Sequence, residues 1–144
     1  MKGLLFISLI ILSCGSSQNT SQEEMAFNIL AQHEVGGYTE ASEDVITNAL
    51  DFKTLCSNLE LSEDSIPTIN FENQTVAGIF LGEKPTGGYT ILVKNITSLE
   101  GTLQVVYTIK EPQPTDFVTM VMTQPYCVIS FDNPENKSVT FIKE

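Results

Sequence analysis

Apolar and polar residues alternate along much of the second half of the chain. Leu103, Val105, Tyr107 and Ile109 alternate with Gln104, Val106, Thr108 and Lys110. A period of two puts one face of a strand in a core and the other toward water. Tyr89, Ile91 and Val93 alternate with Thr90, Leu92 and Lys94 in the same way. In the segment from Val76 to Leu81 both sets are apolar: Val76, Gly78 and Phe80 on one, Ala77, Ile79 and Leu81 on the other. That pattern predicts a central strand covered on both faces. Residues 117–122, 126–131 and 138–142 read as further strands. Turn residues separate the runs: Pro85/Gly87/Gly88, Glu100-Gly101, Pro112/Pro114, Pro125 and Asp132-Asn133-Pro134.

The first half is less regular. Residues 27–35 read as a strand ended by Gly36-Gly37, and 44–47 as a second, short one. Asn48 or Asp51 can cap a short helix reaching about residue 58, with Phe52, Leu55, Cys56 and Leu59 at helical spacing on one face. Residues 62–67 read as a loop. The predicted fold is α+β and mainly β: an antiparallel β-sandwich or open barrel of seven to eight strands with one short helix, over residues 26–144.

The chain opens differently. Met1-Lys2-Gly3 carries one positive charge and precedes an apolar run over residues 4–12. A charged start followed by a short apolar stretch is the pattern of an export signal. The run is about half of the roughly 20 apolar residues that a membrane-spanning helix needs. Ile11-Leu12-Ser13-Cys14 resembles the bacterial lipobox, in which a small residue precedes an acylated cysteine. Leu12 is bulkier than usual at its place. The expectation is a signal peptide over residues 1–13, cut before Cys14, and lipidation of Cys14. A flexible polar tether would fill out residues 14–25. Each buried methylene of an acyl chain contributes roughly 0.8 kcal/mol, so lipid alone can anchor the chain. The expected place is the cell envelope, on the exported side of a bacterial membrane, periplasmic or outer surface.

Charge narrows the partners. The chain has 7 basic residues, all lysine, and 18 acidic ones, for a net charge of −11. Phosphate recognition leans on basic patches and arginine forks, so a nucleic-acid partner is not expected. Besides Cys14 there are two cysteines, Cys56 and Cys127. In an exported chain they could pair as a disulfide or stay as two buried thiols, and both readings are open.

Catalytic material is thin. His33 is the sole histidine, so any serine or cysteine nucleophile would have to use it as base. It lies in a strand-like run without a nucleophile signature beside it. HExxH, CxxC and a glycine-rich phosphate loop are absent, and the acid pairs Glu43-Asp44 and Glu63-Asp64 read as solvated charge. No enzyme activity, metal or cofactor is expected.

Two loops suit recognition instead. Gly82-Glu83-Lys84-Pro85-Thr86-Gly87-Gly88-Tyr89 joins two strong strands and is richer than a minimal turn. Met122-Thr123-Gln124-Pro125-Tyr126 carries a second proline–tyrosine pair. Lys84, Pro85, Thr86, Gly87, Gly88, Tyr89, Gln124, Pro125 and Tyr126 are the candidate partner-binding residues. The alternative is that Tyr89 and Tyr126 point inward and the glycines only close a hairpin.

The stretch from Ile69-Asn70-Phe71 through Pro85-Thr86-Gly87-Gly88-Tyr89, with Thr123-Gln124-Pro125-Tyr126-Cys127 further on, resembles the C-terminal domain of the PrcB protease-complex subunit family. The resemblance covers about residues 69–141. It implies a non-catalytic lipoprotein that associates with an exported serine protease and stabilises or assembles it. A fainter similarity links the Pro-Thr turn and the later Pro-aromatic loop to chagasin-type inhibitors of cysteine proteases. That similarity implies an inhibitor. A carrier or structural envelope protein is the remaining alternative.

Overall fold

The computed structural model describes residues 23–144. The expected signal segment, Cys14 and the first part of the tether lie outside the described residues. The described part holds eight strands: β1 (Glu23–Met25), β2 (Phe27–His33), β3 (Ala41–Ile46), β4 (Gln74–Leu81), β5 (Thr90–Leu99), β6 (Thr102–Lys110), β7 (Tyr126–Asp132) and β8 (Ser138–Lys143). One α-helix, α1 (Ala49–Asn58), follows β3.

The strands form two four-stranded sheets, ordered β1-β5-β6-β8 and β2-β7-β4-β3. All pairs are antiparallel except β6 with β8. The predicted α+β, mainly β architecture is therefore present as an open sandwich. Ala77, Ile79 and Leu81 of β4 and Cys127, Ile129 and Phe131 of β7 face Ile91, Ile96, Leu103, Val105 and Tyr107 of the first sheet. The opposite face of the second sheet carries Val76, Phe80, Tyr126 and Val128, covered by Leu55 of α1, by Leu59 just past its end, and by Ile69 and Phe71 beyond it. Strands β4 and β7 are thus buried on both faces, as the doubly apolar pattern of residues 76–81 predicts. Burying each large apolar side chain contributes roughly 1.5–3 kcal/mol.

Local chemistry sets the helix ends. The Asn48 side chain accepts a hydrogen bond from the Asp51 N–H at 2.9 Å, and Asp51 sits in the first turn where the helix dipole favours an acid. At the other end Glu60 turns left-handed at φ 52°, and the Leu61 N–H returns to the Cys56 carbonyl at 2.9 Å.

Several expectations need correcting. Residues 117–122 form no strand. Pro112 and Pro114 precede them, and the Asp116 carboxylate closes a local turn by accepting from the Gln113 N–H at 2.9 Å. Among the described residues no neighbouring strand offers a ladder there, and Lys84 and Thr123 form an isolated bridge nearby. Strand β1 uses the last three residues of the expected tether, pairing with β5 from Glu23↔Ser98 to Met25↔Ile96. Of the two readings that the sequence left open for the cysteines, the structure has the one without a disulfide between Cys56 and Cys127. Cys127 points between the sheets, whereas Cys56 lies on α1, which covers the other face. The sheet itself separates them.

Candidate functional site

The β4–β5 loop (82–89) and the β6–β7 loop (111–125) meet at one end of the sandwich. Lys84 and Thr123 exchange backbone hydrogen bonds of 2.8 and 2.9 Å, and the Gly87 N–H donates to the Thr119 carbonyl at 3.0 Å. The Thr123 hydroxyl, buried at this junction, donates to the Thr86 carbonyl at 2.8 Å. A third segment, between β2 and β3, closes the cluster. There the Gly37 N–H donates to the Gln124 carbonyl and the Glu83 N–H to the Thr39 carbonyl, at 3.0 and 3.1 Å. The Glu34 carboxylate accepts a longer bond from the Gly88 N–H at 3.4 Å. Backbone groups bonded in this way hold a loop in one shape without a sheet.

The glycines make that approach sterically feasible. A Cβ on Gly87 would lie 2.6 Å from Thr119 Oγ1. Gly88 has φ +90°, and a Cβ there would meet Val118 Cγ1 at 2.8 Å and Pro112 Cβ at 3.0 Å. Both glycines therefore serve loop-to-loop packing as well as the hairpin.

The expected binding residues divide by exposure. Pro85 is exposed, and Lys84, Thr86, Gly88 and Gln124 are half-buried. The Lys84 ammonium sits 5.6 Å from the centroid of the half-buried Tyr89 ring. Gly87 and Pro125 are buried and Tyr126 is 2% exposed, so these three do not form a contact surface. Tyr126 points inward because position 126 shares the outer, helix-covered face of β7 with Val128. Its ring lies 6.1 Å from Phe80 and 5.7 Å from His33, and burial raises the pKa of its hydroxyl.

Reactive groups are not assembled here. His33 is exposed and tilted against Tyr126. The Cys127 thiol is buried, and burial pushes it up to about 12. It stays protonated, a poor nucleophile. Among the described residues no cluster of three or more His, Cys, Asp or Glu side chains could hold a metal ion. No helix among them is long and apolar enough to cross a membrane.

The residues that sequence reasoning missed lie between the two halves of the clamp. Phe117 is 106% exposed, Met120 82%, and Val121 and Met122 57% each. Their apolar character reads as a strand when taken alone. The bracketing prolines at 112, 114 and 125 are the signal that they form a loop.

The family model described as PrcB C-terminal matches residues 75–132. Over 65 residues the chain is 38% identical to an uncharacterized protein of Methanocaldococcus jannaschii, a match covering 45% of this chain and 39% of that relative. The chain thus spans about two fifths of that relative's length. No solved structure matches it. Strands β4 to β7 and both clamped loops fall inside the matched segment, and it is through them that this chain matches the PrcB C-terminal family.

Proposed function

We propose that this chain is a non-catalytic, lipid-anchored binding module that serves as an accessory or stabilising subunit of an exported protease complex. One observation carries the reading: the 82–89 and 111–125 loops are clamped to each other by backbone hydrogen bonds and spring from the doubly buried strands β4 and β7. Preorganised loops lose little freedom on binding, so more of each contact appears as affinity. The match of these same residues to the PrcB C-terminal family supports a protease-complex role. In this reading Cys14 bears the lipid after residues 1–13 are removed. The tether then holds the module on the exported face of a bacterial membrane, periplasmic or outer surface. Pro85, Lys84, Thr86 and Gln124 meet the partner, while Gly87, Gly88 and Tyr89 shape the loop that presents them.

Affinity purification of the acylated mature protein from envelope extracts tests the proposal. Wild type is expected to recover an exported protease, and a Pro85→Asp/Thr86→Asp variant to lose it. Cys14→Ala is expected to release the protein from membranes. Recovery of the same proteins by both loop forms would remove the loops from the site. Inhibition of a papain-type protease by the purified chain would replace this reading with the inhibitor one. Burial of Pro125 and Tyr126 weighs against that outcome, since a wedge-like aromatic loop would need them outside.

A further inference from the structure

Ten large hydrophobic residues are exposed among the described residues, and four of them fall within residues 117–122. We propose that this segment is a preformed apolar arm whose occupant is a protein partner with an apolar socket rimmed by lysine and arginine. The inference rests on the protein-binding reading above and specifies the chemistry of the partner.

Three observations carry it. First, the arm is held rather than loose. Its base is closed by the Gln113–Asp116 turn, its middle is tied by the Gly87–Thr119 bond, and its end by the Lys84–Thr123 pair. A segment held at three points keeps its apolar side chains in water at a standing cost, which a binding site recovers and a solvated loop does not. Second, the side chains suit a socket. Phe117 supplies a large anchor, and Met120 and Met122 adapt to an irregular wall. Third, the surroundings carry two acids, Glu34 and Asp116, against Lys84, the cation paired with Thr123 at the end of the arm. Asp116 lies within the base of the arm, and the Glu34 carboxylate would lie 3.2 Å from a Cβ on Gly87, beside Thr119.

Charge then selects among occupants. A two-fold contact through the arm would set Glu34 and Asp116 against their own counterparts, on two bodies of net charge −11 each. An anionic lipid surface meets the same repulsion. A protein with a basic rim is attracted by the charge that deters the other two, and that attraction also speeds encounter.

The test is site-specific photocrosslinking in the full chain, in the cells that make it. p-Benzoylphenylalanine replaces Phe117, or as a control replaces Leu92, exposed on β5. The expected result is an adduct from position 117 but not 92, to one protein. The crosslinked peptide of that protein is apolar with lysine or arginine beside it. Adding Met120→Ser or Asp116→Lys lowers the yield about tenfold, the effect of losing a hot-spot contact. Adducts to a second copy of this chain, adducts to lipid, equal labelling from both positions, or no adduct overturn the inference. The two proposals fail separately. If the captured protein is not a protease, the arm stands and the protease-subunit reading falls. If an exported protease co-purifies equally well with a Phe117→Ser/Met120→Ser variant, the arm falls and the subunit reading stands.

Discussion

Tyr107 on β6 donates a 2.6 Å hydrogen bond to Glu43 Oε1 on β3, joining the first sheet to the edge strand of the second. Tyr107 is buried, and Glu43 reaches it from a strand whose outer edge has no strand partner among the described residues. Glu43 itself is exposed, and a charged side chain on an edge strand also discourages pairing with another chain.

Removing that hydroxyl leaves the ring packed but deletes this hydrogen bond between the sheets, while the Gln32 side chain of β2 still donates to the Ile91 carbonyl of β5. Tyr107→Phe is expected to lower unfolding stability by about 1.5–3 kcal/mol, as for a hydrogen bond to a charged acceptor. A double-mutant cycle with Glu43→Ala, read by urea denaturation, should give a coupling of about 1 kcal/mol or more. Additive single effects would mean that the bond does not tie the sheets.

Alkaline pH should unfold this protein through its buried acids. Burial, together with the hydrogen bond and charge of Glu43, holds the Tyr107 hydroxyl well above its ordinary value of 10.0. Burial alone pushes the Cys127 thiol from 9.0 to about 12. Both folded values are raised, so the unfolded chain releases these protons first. The Cys127 contribution is fully present below pH 9.0 and is lost as the pH rises toward 12, while that of Tyr107 is fully present up to 10.0 and falls above it. Urea midpoints should hold steady up to pH 9.0 and then fall, and Cys127→Ala should flatten the first part of that fall. A midpoint independent of pH across this window would contradict the assignment.

The clamp has its own sensitive position. Gly88→Ala meets both a left-handed backbone and contact with Val118 and Pro112, so it should cost about 1–3 kcal/mol. Gly101 has φ +81° but open space around its Cβ position, so Gly101→Ala carries the backbone strain alone. Thermal melts of the two variants separate these terms. Hydrogen exchange at the Gly87 and Thr123 amides should quicken in Gly88→Ala and not in Gly101→Ala.

Beyond β7, Asn133 is buried and uses both ends of its amide. Nδ2 donates to Thr75 Oγ1 at 3.1 Å and to the Lys137 carbonyl at 3.0 Å, while Oδ1 accepts from the Lys137 N–H at 2.8 Å. Asn133→Ala leaves buried partners unsatisfied and should cost about 2–4 kcal/mol by urea denaturation. Asn133→Asp keeps one acceptor and loses both donated bonds, so it should rescue little. Wild-type stability in either variant would mean that the Asn133 amide bonds do not hold the turn after β7.

How much of this was legible depended on whether the signal was local. Residues 76–81 announced a doubly covered strand because both alternating sets are apolar, and Asn48 announced a helix start because capping is a short-range bond. Residues 117–122 misled because apolar residues look alike whether a ladder waits for them or not, and no single segment shows its neighbours. Tyr126 misled for a related reason. The proline before it suggests a surface loop, yet its place on β7 turns it into the layer beneath α1. The clamp between Gly87 and Thr119 was invisible for want of any sequence mark on a contact between backbone atoms over 30 residues apart.

The arm is strung between β6 of one sheet and β7 of the other. A pull on it is therefore shared between the two sheets, directly through β6 and β7 and, by the Gly87–Thr119 and Lys84–Thr123 bonds, through the loop joining β4 and β5. β7 is hydrogen-bonded on both sides, to β2 and to β4, and β6 likewise to β5 and β8. Loaded lengthwise, such strands yield by sliding, which breaks many bonds at once, and not by unzipping one bond at a time. A pull applied at the arm therefore meets a mechanically strong attachment.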